Sequence, residues 1–159
     1  MIHPVVWSGP FIPLSASLAA ARVGTTTNDN AAAGQIGEFI SSTVGATALV
    51  TDTVTNITSL ALTAGDWDVV GSIQYAPAGT TTVTKLFAAI SLVSATLPGV
   101  AQSETRLNLP FTTGQLQTVG TPTLRVSIAA PTTVYLVGFS SFAVATMNTL
   151  ATFRARRVR

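Results

Sequence analysis

Between residues 65 and 76 apolar and polar side chains alternate with a period of two. Trp67, Val69, Gly71, Ile73 and Tyr75 fall on one face of an extended chain, and Asp68, Val70, Ser72 and Gln74 fall on the other. The pattern predicts a strand with one face on a core, entered from a turn at Ala64–Gly65. Similar runs rich in Thr, Val, Ile and Ala, bounded by Gly and Pro, recur along the chain. "EFISSTV", "ATALVTDTV" and "NITSLALT" read as three short strands, and "TVTKLFAAISLVSAT" as a longer one ending at Pro98–Gly99. "ETRLNLPF" precedes a Thr-Gly turn at 113–114, and "PTLRVSIAA" passes through "PTT" into "VYLVGFSSFAV", a predicted hairpin around Pro131. In "TVYLVGF" both alternate sets, Val134/Leu136 and Tyr135/Val137/Phe139, are apolar. That strand is expected to be buried on both faces, one of them against a neighbouring subunit. The tally of about eight to ten short strands predicts an all-β chain, an antiparallel β-sandwich or jelly roll over residues 36–159.

Residues 1–35 break the pattern. Pro4, Pro10 and Pro13, a Ser/Ala stretch and "GTTTNDNAAAG" sustain neither a strand nor a helix period. The segment reads as an extended N-terminal arm for attachment. Trp7, Phe11, Ile12 and Leu14 are its apolar anchors, with no amphipathic element of their own to fold against. A cleaved leader is not expected, since no Lys or Arg precedes Arg22 and the prolines interrupt any apolar helix.

Charge changes the picture. Only 9% of the 159 residues are charged and 47% are hydrophobic, against about 25% charged in ordinary soluble domains. No run of about 18 uninterrupted apolar residues occurs, so membrane spanning by a helix is not expected. A surface so poor in charge is one that copies of the chain, or a larger assembly, would cover. Half of the eight basic residues lie in the closing "RARRVR". There Phe153 and Ala155 alternate with the arginines as in a strand, unlike a disordered basic tail. Arg154, Arg156 and Arg157 are therefore expected to pair with carboxylates or carbonyls of neighbouring chains, and nucleic acid is not the expected partner.

Candidate chemistry is sparse. Cysteine is absent, and the single histidine, His3, lies in the arm, so thiolate chemistry, a Ser-His-Asp triad and a zinc site find no residues. Asp66 and Asp68 flank Trp67 on one strand and suit a turn cap and an arginine partner better than a catalytic pair across a cleft. "NDNAAAG" lacks the alternating ligands and closing glutamate of a calcium loop, and "NIT" at 56–58 is a glycosylation sequon of a kind common by chance. No phosphate-binding glycine pattern appears. The expectation is no enzyme, no catalytic residue, no cofactor, no metal and no small-molecule substrate.

Taken together, "TNDNAAAGQIGEFISSTV", "LTAGDWDVVGSI", "TTVYLVGF" and the terminal "RARRVR" resemble small phage and prophage virion proteins, similar to the trimeric jelly rolls of head decoration proteins and fibre heads. "AGDWDVVGSI" and "TTVYLVGF" resemble, more loosely, strands of complement C1q and tumour-necrosis-factor domains. The resemblance implies a homotrimer on the outer surface of a bacteriophage capsid, partnered by the major capsid protein or another virion protein. A tail-fibre or tail-tip receptor-binding head is the alternative location, and a C1q-like or lectin-like ligand-binding module the alternative of another class. Tyr135, Val137, Phe139, Arg154, Arg156 and Arg157 are the expected subunit interface.

Overall fold

The computed structural model describes Thr27 and residues 29–159; the arm residues Trp7, Phe11, Ile12 and Leu14, with His3, lie outside the described residues. Nine strands form two antiparallel sheets, and no helix occurs among the described residues. They are β1 (Phe39–Leu49), β2 (Thr55–Leu62), β3 (Gly65–Pro77), β4 (Thr82–Ser91), β5 (Glu104–Asn108), β6 (Gln117–Gly120), β7 (Leu124–Ile128), β8 (Thr132–Ala143) and β9 (Met147–Arg157). One sheet runs β1-β9-β3-β6, with β7 also paired to β3; the other runs β2-β8-β4-β5. Early and late strands alternate in each sheet, and consecutive strands change sheets at every step except β4–β5 and β6–β7. That is the strand order of a jelly-roll sandwich, and it agrees with the antiparallel β-sandwich or jelly roll expected from the alternating pattern.

Period-two burial carries the packing. Along β9 buried and exposed residues alternate without interruption from Met147 to Arg157. β3 buries Trp67, Val69, Ile73 and Tyr75 completely. From the other sheet Leu60, Leu62, Leu86, Ile90, Val134 and Leu136 meet them in one core. Each such side chain contributes roughly 1.5–3 kcal/mol of burial. The sheets pack tightly at Gly71, where an added Cβ would lie 2.7 Å from Leu136 Cδ1. Buried in the same layer, the Tyr75 hydroxyl donates to Phe87 O at 2.5 Å, and burial pushes its phenol well above the ordinary value. At the sandwich edge Ser42 Oγ and Thr58 Oγ1 sit 2.7 Å apart and join β1 to β2.

Three local expectations are corrected. "EFISSTV" and "ATAL" are one strand, β1, with an irregular register between Val44 and Thr47 that absorbs Gly45 and Ala46. The run from Thr82 stops as a strand at Ser91. The hairpin around Pro131 does not form: β7 pairs with β3, whereas β8 pairs with β2 and β4. The turn there carries the chain from one sheet to the other, a choice made by which core layer each strand can join.

Candidate interaction surfaces and the arginine cluster

Arg157 is the last residue of β9 and points into the core, where it is 4% exposed. Its Nε donates to Glu38 Oε2 at 2.9 Å, Nη1 to Ala64 O at 2.9 Å, and Nη2 to Thr63 Oγ1 at 2.5 Å. The guanidinium also lies 4.3 Å from the centre of the Trp67 ring, its ladder partner. Gly65 makes room, with φ +145° and a Cβ position that Arg157 Nη1 already occupies. The Glu38 carboxyl is held below its ordinary value of 4.5, first by the Gly34 N–H and then by Arg157, with burial opposing. Gly37 N–H donates to Arg157 O, and Arg157 N–H to Glu38 O, each at 2.9 Å. The chain thus enters the sandwich clamped beside its own C-terminal end.

Next to this clamp, Asp66 is buried and ion-paired. Arg125 reaches it with Nε at 2.8 Å and Nη2 at 2.6 Å, and Arg159 Nη2 lies at 3.1 Å. The Arg125 hydrogen bonds hold the Asp66 carboxyl below its usual range. The sequence anticipated an arginine partner for this aspartate, and the structure supplies two.

The outer face of the five-stranded sheet presents a different arrangement. Ladder partners Phe39, Arg156, Asp68 and Arg125 line up across β1, β9, β3 and β7, and Arg154 faces Ser41 and Val70 one step along. Arg154 and Arg156 are exposed and have no hydrogen-bond or ion-pair partner among the described residues. Phe39, 40% exposed, is the one aromatic among the strongly exposed large apolar side chains of the described residues. Gly37, Phe39, Asp68, Val70, Arg154 and Arg156 border a shallow depression of about 370 Å³. A second depression of similar volume follows along the same face, bordered by Thr43, Ser72, Gln74, Thr118, Leu150 and Thr152.

On the opposite outer face Phe87 stacks on Phe139 with ring centres 4.9 Å apart. Arg106 caps Phe87 at 5.1 Å and bridges to Glu104 at 2.7 Å. The connection from β4 to β5 leaves Ser91 and crosses β8 to reach β2. There Asn56 Nδ2 donates to Ser94 Oγ, and Ala95 N–H donates to Asn56 Oδ1, both at 2.7 Å. Asn56 is the ladder partner of Val137, so this connection roofs Val137 and Ala89, which are fully buried. The roof itself exposes Leu92, Val93 and Val100 by half or more.

The six residues expected at one interface are therefore dispersed. Tyr135 and Phe139 are half-buried on the four-stranded sheet, and Val137 is covered by the chain's own connection. Arg154 and Arg156 lie on the far face of the sandwich, and Arg157, expected to pair between chains, is satisfied inside its own. Sequence reasoning missed Glu38 and Phe39. The alternation of β9 already placed Arg157 on the Phe153 face, and that was the available signal.

These features define an all-β sandwich with two dissimilar outer faces and an internal arginine clamp. No protein-family model matches the chain, and no curated protein does. Among solved structures it is similar to the structure of infectious bursal disease virus Gx strain, at 14% identity and a TM-score of 0.45, over 76% of this chain and 30% of that one. It is also similar to the crystal structure of the T13 IBDV viral particle, at 13% identity and a TM-score of 0.44, over 76% of this chain and 35% of that one. The chain spans about a third of the length of these two neighbours.

Proposed function

We propose that this chain is a structural subunit of a bacteriophage particle, a decoration or head-fibre protein that sits on the outer capsid surface as a homotrimer and has no catalytic role. The observation that carries the reading is the apolar roof on the four-stranded sheet. Leu92, Val93 and Val100 stand exposed beside half-buried Tyr135 and Phe139, in a chain with only 9% charged residues. Exposed apolar surface of this kind favours association. The clamp supports the same reading: Glu38 and Arg157 fix the point where the chain enters the body, next to the segment proposed for attachment. Of the six interface residues expected from sequence, Tyr135 and Phe139 remain in the proposed subunit contact.

Electron microscopy of particles carrying the tagged protein tests this directly. Label on the capsid supports the decoration role, label on the tail supports a receptor-binding head instead, and unlabelled particles overturn both. Mass measurement of the purified protein should give a trimer, and Leu92→Ser with Val93→Ser should shift it toward monomer. A wild-type monomer at micromolar concentration would sink the assembly reading.

A further inference from the structure

We infer that the outer face of the five-stranded sheet is a binding site for an acidic saccharide, with its carboxylate or sulfate on Arg154 and Arg156 and its neutral sugar units along the hydroxyl-lined remainder of the face. The site lies within one chain, so it stands apart from the assembly proposed above.

Arg154 and Arg156 are two residues apart on β9, so their Cα atoms are about 6.5–7 Å apart on the same face. Every other arginine among the described residues is engaged: Arg106 with Glu104, Arg125 and Arg159 with Asp66, Arg157 with Glu38. Among the described residues, only these two guanidiniums keep their planar forks free for an incoming anion. Phe39, opposite Arg156 in the ladder, offers a flat apolar surface against which the C–H face of a sugar ring can lie. Asp68, on the other side of Arg156, supplies an acceptor that suits a sugar hydroxyl and opposes a second negative charge. The neighbouring depression has no charged residue on its border. Its Thr43, Ser72, Gln74, Thr118 and Thr152 side chains both donate and accept hydrogen bonds, as neutral sugar hydroxyls do.

The distribution of charge separates this ligand from a nucleic acid. A phosphodiester chain carries an anion at every unit and is met by cations along its whole path. Here the charged side chains, Arg154 and Arg156 with Asp68 and the paired Arg125, gather at one end, and the depression at the other end is bordered by neutral residues. A ligand with one acidic unit followed by neutral ones matches that gradient.

The test uses the intact protein and three probes of equal length: a sulfated or carboxylated oligosaccharide, a neutral oligosaccharide and single-stranded DNA. Calorimetric titration should show binding of the acidic saccharide, and weaker binding of the neutral one. Arg154→Ala and Arg156→Ala should each weaken it on the order of tenfold. Phe39→Ala should weaken binding of both saccharides. Arg106→Ala, on the opposite face, should change nothing, and thermal melting of each variant checks that it is folded. Tighter binding of DNA than of either saccharide, or binding of no probe, would overturn the proposal. Mass measurement on the same variants gives the remaining outcome: if Arg154→Ala or Arg156→Ala dissociates the assembled protein, the face is a subunit contact and the saccharide site is refuted.

Discussion

Arg157 and Glu38 lie 119 residues apart in the chain, yet the ion pair between them is nearly removed from water. A buried guanidinium with its donors matched and a tryptophan ring beneath it tolerates little change. Arg157→Ala should lower stability by about 3–5 kcal/mol, because Glu38 would be left buried without its cation. Chemical denaturation of Arg157→Ala, Glu38→Ala and the double variant checks this, with single losses expected to sum to more than the double. Gly65→Ala should be as damaging, since its backbone angle and the Arg157 Nη1 contact both exclude a side chain. The carboxylates also set the response to acid. Glu38 has a depressed value in the folded chain, so its contribution is complete above the ordinary 4.5 and is lost as pH falls through the folded value. Unfolding free energy should be level near neutrality and fall below about pH 4.5, more gently in Glu38→Gln. Ser140 behaves oppositely: its buried Oγ has no hydrogen-bond partner among the described residues, and Ser140→Ala should leave stability unchanged or raise the melting temperature.

Among the elements, β8 is apolar on both faces, and the chain itself covers part of the outward one. Its even positions from Val134 to Ser140 are buried, and of its odd positions Val137 lies under the β4–β5 connection and Phe139 against Phe87. The roof is held to β2 through the side chain of Asn56, the residue that opens the "NIT" sequon. Two hydrogen bonds at that amide give it a structural role. Asn56→Ala should free the connection, cost about 1–3 kcal/mol and open a protease site between residues 92 and 100. Limited proteolysis followed by mass spectrometry reads this out, and unchanged resistance would mean that packing over Val137 holds the roof by itself.

For the whole molecule, pairing within the chain leaves few charges to keep copies apart. Burying about 1,000 Å² of apolar surface per subunit would contribute roughly 25 kcal/mol before the entropic cost of association. Among the described residues the clamp at residues 34–38 joins the arm to the body. A variant starting near Thr25 should therefore trimerise and melt like the full chain, yet fail to join particles that lack the protein. Trp7→Ala in the intact chain should weaken attachment by about 2 kcal/mol. If the truncated body attaches as well as the full chain, attachment runs through the sandwich.

What the sequence determined by itself is whatever a strand's own period encodes. The faces of β3 and β9, the all-β class and the turns at Gly65 and Gly114 follow from neighbours one to four residues away, or from alternation in or out of a core. Tertiary structure decided the rest, because period two says that a residue faces outward but not which of two outer faces it shares. Tyr135 and Arg156 carry the same outward label and end on opposite sides of the sandwich. The same limit hid the crossing at Pro131, where two good strands with a good turn between them join different sheets. It hid the clamp too, since nothing local to Glu38 or Arg157 indicates that the first and last strands pair. Only closure of β1 on β9 brings the Glu38 carboxylate to Arg157, and that closure is driven by the core between the sheets.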